Sequence, residues 1–331
     1  MIKLFTDIAT FVQYMPIDIN ATDEKVGAYI DVAVNEYVIP IVGQGQYDII
    51  YADWLAGTIA GNNLALLNKI RACVAPLAYY EGIATNGINL GDNGATITMT
   101  ESQRPAFKWQ VKKLEKSLLK HGFIHVEALF LYLKATATGS VFNTWFTSDE
   151  RTYLLGLMLN TSVEFNQYLN IDGRRTLWAM RNNMLAVQES VIVNNITQTI
   201  YAELITALLG TPSATQLTLL KYIKRVIAYK AASKSLREHA VTMNEYGVTV
   251  DGLVDVTDTT VTDSLVMEKR IGLQLRQYDA EADLWLKQLR TYLNTTASAS
   301  VWVAYFDSDL YTDPASTTNR IDNSTGGFFV S

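Results

Sequence analysis

Apolar side chains recur along this chain with a helical period. Val26, Tyr29, Ile30, Ala33 and Tyr37 fall three and four residues apart, which predicts one buried stripe on a helix starting near Thr22. Phe107, Val111, Leu114 and Leu118 repeat the pattern and predict a long helix over about 103–136, with those four residues facing inward. A short opening helix over 6–15, with Thr6 as its N-cap, a short helix carrying Tyr47, and a helix through the LALLNKI segment fill the space between. Pro76 is expected to kink the last of these. The helical period then gives way to alternation. Ile88 to Leu90, a Gly-Asp-Asn-Gly turn, and Ala95 to Met99 read as a β-hairpin.

The same plan returns in the second half. Phe11 to Asp18 and Phe165 to Asp172 share five of eight residues. Leu64 to Ala78 and Leu217 to Ala231 share six of fifteen, and Tyr132 to Phe146 and Tyr292 to Phe306 share seven of fifteen. The offsets, 154, 153 and 160, keep the same order, so the pattern predicts two copies of one domain, the second seven residues longer between Ala231 and Tyr292. The expected fold is therefore mainly α. It is a tandem duplication of a helical-bundle domain, 1–146 and 161–306, with a linker at 147–160 and a protruding β-hairpin in each copy. In the second copy a helix over about 174–193 follows the opening helix at 161–169, the hairpin falls at Val248 to Val250 and Leu253 to Val256, and a long helix over about 263–295 closes the copy.

Residues 307–331 lose all periodicity, are rich in Asp, Ser, Thr, Asn and Gly, and are expected to form an extended C-terminal arm. The stretch ends in Phe328, Phe329 and Val330, an apolar tip that reads either as a frayed end or as an anchor docking on a neighbouring subunit.

With 331 residues, 49% of them hydrophobic, the chain suits two domains that need no staple. The single cysteine, Cys73, excludes an intramolecular disulfide and reads as a core residue. The first residues lack a signal-peptide pattern, and no run of eighteen apolar residues exists, so neither secretion nor a membrane span is expected. A net charge of −6 argues against a protein that grips nucleic acid with its whole surface.

Carriers of chemistry are sparse. His121 and His125 stand one helical turn apart but lack a third ligand or a neighbouring HExxH glutamate, and His239 is isolated. Asp307, Asp309 and Asp313 lack the glycine and closing glutamate of a calcium loop. Gly43-Gln-Gly45 and Gly91 to Gly94 match no phosphate-binding fingerprint. No metal, cofactor or catalytic residue is expected, and the chain is not expected to be an enzyme. The basic concentration is Lys108, Lys112, Lys113, Lys116 and Lys120 on the long helix. Lys112, Lys116 and Lys120 share a face that is either simply solvated or a contact surface for a neighbouring subunit or nucleic acid.

Tyr29-Ile30, Ala33, Tyr37 to Gly43, Ala75 to Glu81, Asn86 to Ile88, Phe165 to Tyr168 and Ile171 to Thr176 together resemble an uncharacterised family of tailed phages and prophages, encoded near the major capsid protein. That family in turn resembles head–tail connector, or adaptor, proteins. The resemblance implies a virion structural protein of the head–tail neck, assembled in the host cytoplasm. Its partners would be its own copies in a twelvefold ring, the portal protein, tail or further neck proteins, and DNA passing without sequence-specific binding. A duplicated chain leaves six or twelve copies open as the ring number. The competing reading is a free-standing helical binding module for a peptide or small ligand.

Overall fold

The computed structural model describes residues 3–15, 23–83, 88–91, 94–97, 107–238, 242–244, 247–249 and 261–314. It is mainly helical. The elements are α1 (Ile8–Val12), α2 (Asp23–Ala33), a π-helical turn (Val34–Val38), α3 (Ile39–Val42), α4 (Gln44–Leu55), α5 (Gly61–Gly82), β1 (Ile88–Gly91), β2 (Gly94–Ile97), α6 (Lys108–Thr136), α7 (Asn143–Phe146) and α8 (Asp149–Leu155). There follow α9 (Ser162–Phe165), α10 (Arg174–Ala179), α11 (Arg181–Val187), a second π-helical turn (Gln188–Ile192), α12 (Val193–Ile196), α13 (Gln198–Leu209), α14 (Ala214–Glu238), β3 (Thr242–Asn244), β4 (Gly247–Thr249), α15 (Val261–Thr296) and α16 (Val303–Phe306). β1 pairs antiparallel with β2, Ile88 opposite Ile97, and β3 with β4, Thr242 opposite Thr249. Among the described residues no single helix is long and apolar enough to cross a membrane.

Two compact units divide the chain. Unit 1 comprises Met1–Leu154, Thr161–Val163 and Ile171–Trp178; unit 2 comprises Leu155–Asn160, Glu164–Asn170 and Ala179–Ser331.

In unit 1 the centre is the pair α5 and α6, with α2 against α5. Val26, Ile30, Ala33 and Tyr37 are buried along the expected stripe. They meet a core containing Leu66, Leu67, Ile70 and Val74 of α5 and Leu118, Val126, Leu129, Phe130 and Leu133 of α6. Gly122 sets how closely the pair approaches, because a Cβ there would lie 2.5 Å from the Leu77 side chain. α5 continues as one helix through Pro76. Gly43, with φ +74°, makes the turn into α4, a conformation that suits glycine. The indole Nε1 of buried Trp145 on α7 donates to the Ile41 carbonyl at 2.7 Å and ties the end of the unit to α3.

Unit 2 runs through the same succession. The π turn leads to a four-residue helix, a residue with positive φ, a twelve-residue helix, and two long helices α14 and α15 packed together. Thr197 holds φ +77°, ψ 152°, where Gly43 holds φ +74°, ψ 146°. Phe142 before α7 and Trp302 before α16 both adopt the left-handed conformation, φ 52°. Leu219, Leu220, Ile223, Val226 and Ile227 of α14 are buried, as are Ala282, Leu289 and Leu293 of α15.

Several expectations need correction. Asp7, not Thr6, caps the first helix, its carboxylate accepting from the Thr10 amide at 2.7 Å; a charged acceptor is the stronger cap. Residues 147–160 are not a bare linker, because α8 starts behind Ser148, whose hydroxyl accepts from the Arg151 amide, with Asp149 and Glu150 favourably placed in the first turn. The single helix expected over 174–193 is broken into α10, α11 and the π turn. Phe107 is not inward-facing. It is the N-cap residue of α6 and is 69% exposed, while the buried stripe begins at Leu118. In the second half the described antiparallel pair joins 242–244 to 247–249, so Val248 pairs with Met243, while residues 250–256 of the expected hairpin lie outside the described residues. Residues 307–314 are not a loose tail. The Thr312 amide donates to Asn294 Oδ1 at 3.1 Å, and the Tyr311 ring packs on Tyr305 and Phe306. Phe328, Phe329 and Val330 lie outside the described residues, as do His239 and 253–256.

Candidate functional site

α6 supplies one wall of a concavity in unit 1, an open pocket of about 600 Å³. Lys116, Lys120 and Ile124 stand at four-residue intervals and so share the exposed face of the helix. Leu119 and Phe123 close the apolar floor behind them. The opposite wall is the segment Asp172 to Thr176, where Gly173, with φ +105°, turns the chain into α10.

The floor is polar at one point. Glu127 sits in an otherwise apolar stretch of α6 and is 7% exposed. Its Oε1 accepts from the Ser162 amide at 2.8 Å and faces the Ser162 hydroxyl at 3.1 Å, while Oε2 meets Arg174 Nη1 at 3.1 Å. Arg174 also stacks over Phe130, guanidinium carbon to ring centre 4.4 Å. Three donors around one carboxylate satisfy what would otherwise be an expensive buried charge. Edge contacts from Tyr37 and Trp178 to Phe123 stiffen the wall beside it. Arg174 is thus committed to Glu127, whereas Arg175, the next residue, is exposed on the pocket lining.

The pocket brings together Lys116 and Lys120 of the basic face, but Lys112 does not line it. Glu127, Arg174 and Arg175 escaped sequence reasoning as site residues. A lone carboxylate flanked by Val126, Ala128, Leu129 and Phe130 was the available signal for Glu127. Arg174 and Arg175 carried none, because only the fold brings their loop to α6.

His121 is exposed, and His125 is half-buried beside Lys69 and Asn68 in a separate shallow cleft. Burial holds the His125 imidazole below its usual range, helped by the charges of His121 and Lys69. Among the described residues no group of three or more His, Cys, Asp or Glu side chains is placed to hold a metal ion, the acids at 307, 309 and 313 included. The Cys73 thiol is fully buried, and burial pushes its pKa far up, which removes it from thiolate chemistry.

No curated protein and no solved structure matches the chain. A family description does match it, in two stretches, residues 38–153 and 187–315, the first running from the end of the first π turn through most of α8 and the second from the end of α11 past α16. The chain therefore belongs to the family of unknown function DUF6712.

Proposed function

We propose that the chain is a tandem duplication of one helical-bundle domain, each copy with a protruding β-hairpin. We further propose that it is a structural component of a tailed-phage virion, a ring that joins portal to tail and lines the DNA channel. The duplication is supported by the matching order of elements in the two units and by the paired left-handed and positive-φ residues at corresponding places. The two separate stretches matched to one family support it too.

One observation carries the assembly reading. Large apolar side chains stand exposed in pairs on the long helices: Phe107 at 69% and Trp109 at 62% beside the start of α6, and Leu273 at 65% with Leu284, three turns apart on α15. Isolated exposed leucines are ordinary, but two large aromatic side chains at this exposure, two residues apart in sequence, support a contact surface at the start of α6. A ring subunit needs two different surfaces that join head to tail, and the chain offers an apolar set on each unit. The partners would be further copies, the portal protein and tail or neck proteins, in the virion and away from any membrane. The pocket beside Arg174 is the observation that favours the second reading, a binding module.

The test is size. Mass photometry and negative-stain microscopy of the purified chain should show closed rings, twelvefold if the resemblance holds in full, and Phe107→Ser with Trp109→Ser should reduce them. A chain that stays monomeric, both alone and mixed with a tailed-phage portal protein, overturns the reading. Phe328, Phe329 and Val330 enter the same experiment through deletion of residues 315–331. The cut begins there because Tyr311 and Thr312 belong to the packed unit. The shortened chain should keep its helical signal and assemble less well.

A further inference from the structure

We propose that the pocket between α6 and the 172–176 loop is an anion site that takes phosphate ester groups, held by Lys116, Lys120 and Arg175. Three exposed cations line one concavity, and none of them has an ion-pair partner among the described residues. The neighbouring Arg174 shows what a satisfied cation looks like here, since Glu127 neutralises it in the floor. Asp172 is the exposed acid on the rim, so the lining keeps an excess of positive charge in a chain whose net charge is −6. Gathering like charges in one hollow is unfavourable unless an anion occupies it.

The chemistry of the lining narrows the anion. The Thr176 hydroxyl adds a neutral donor of the kind that phosphate oxygens use. Ile124, 53% exposed, offers an apolar wall to the organic part of the ligand. A volume of about 600 Å³ exceeds what bare phosphate needs and falls within the usual range for small-ligand pockets. It has room for one or two nucleotides, free or presented by a strand. Lys116 and Lys120 act as mobile point charges, while Arg175 supplies a planar fork. The phosphate could be presented by a nucleic-acid strand or by a small phosphorylated molecule. Only the choice of a strand rests on the channel reading above.

The experiment measures binding of a fluorescent twelve-nucleotide single strand by anisotropy, with AMP, inorganic phosphate and polyglutamate as competitors. The variant Lys116→Gln, Lys120→Gln, Arg175→Gln is compared with Lys221→Gln, Lys269→Gln, Lys287→Gln, which removes three exposed cations from unit 2. The pocket variant should bind at least about tenfold more weakly. Its plot of log affinity against log salt should be shallower by about 2, the value for three lost single-strand contacts. The unit 2 variant should bind as wild type does. If AMP and phosphate displace the strand at comparable concentrations, a small phosphorylated ligand is the source; if only the strand binds tightly, the source is nucleic acid. Both outcomes support the site. Equal losses in the two variants, displacement by polyglutamate as effective as by phosphate, or no binding of any phosphate compound each overturn it. All three pocket residues are exposed, so melting should not change; should the triple variant melt early, Arg175→Gln alone carries the test with a smaller loss. Assembly is read separately by mass in the same samples. A monomer that still binds phosphate sinks the ring reading and leaves the site standing.

Discussion

The two long-helix pairs solve one packing problem in opposite ways. In unit 1, α5 and α6 approach where Gly122 meets Leu77, with Leu119 and Phe123 buried on either side of Gly122 along α6. The residues 153 and 160 positions further on, between α14 and α15, are Lys230, Asp279, Ala282 and Asp283. There Lys230 reaches Asp279 at 3.3 Å and Asp283 at 3.5 Å, and Arg237 also pairs with Asp279. One junction is apolar and close, the other ionic and partly exposed. The same helical arrangement therefore tolerates either chemistry at this level, and what it requires is a small residue, Gly122 or Ala282, at the point of approach.

Substitutions can break this comparison. Leu77→Ala should destabilise unit 1 by about 2–5 kcal/mol, the cost of a cavity in a core. Lys230→Ala should cost less than about 1 kcal/mol, because its ion pairs are partly exposed and screened. Chemical denaturation of each variant checks both, and a Lys230→Ala loss as large as that of Leu77→Ala would mean that the ionic junction is a second core. Gly122→Ala should cost about 1–3 kcal/mol by overpacking against Leu77, outweighing the better helix propensity of alanine. Ala282→Gly should cost only about 0.5–1 kcal/mol, from backbone entropy.

Next in size is the turn before α4 and α13. Thr197 occupies a conformation in which glycine is at ease, and its hydroxyl is buried without a hydrogen-bond partner among the described residues. Thr197→Gly should therefore raise stability by about 1 kcal/mol, while Gly43→Ala should lower it, since the new Cβ is strained and lies 3.0 Å from the Glu150 carboxylate. Thermal melts settle the sign.

The smallest effect concerns pH. Burial alone would raise the Asp279 pKa, but hydrogen bonding and the charges of Lys230 and Arg237 outweigh it and hold the carboxyl below its usual range. A folded-state pKa below the unfolded one adds stability above the unfolded value of about 3.9, lost as pH falls through the folded value. Below about pH 4 the ionic junction should loosen first. Hydrogen exchange in α14 and α15 should rise before exchange in α5 and α6, and Asp279→Asn should abolish the difference.

The helices were legible because their apolar period survives both chemistries: Val26 to Tyr37 reads as a stripe and folds as one. The correspondence of Gly43 was not legible. Positive φ is signalled in a sequence by glycine, and the second half carries Thr197 in that conformation. The start of α6 misled because Phe107 and Trp109 continue an apolar pattern beyond the point where packing ends. The pocket was half legible. Lys116 and Lys120 stand out on one helix, but Arg175 joins them through a contact 55 residues along the chain, which no local pattern encodes.

The interleaved boundary between the units has a consequence for synthesis. Glu127 is made well before its partners Ser162 and Arg174 on a growing chain. Until residue 174 has left the ribosome the Glu127 carboxylate lacks the cation that offsets its burial, so closing this part of unit 1 earlier would cost several kcal/mol. The first unit therefore cannot mature as soon as its main span, through residue 154, is made. It waits for residues 161–178, so its last step of folding comes after the chain has already passed through the first stretches of the second unit.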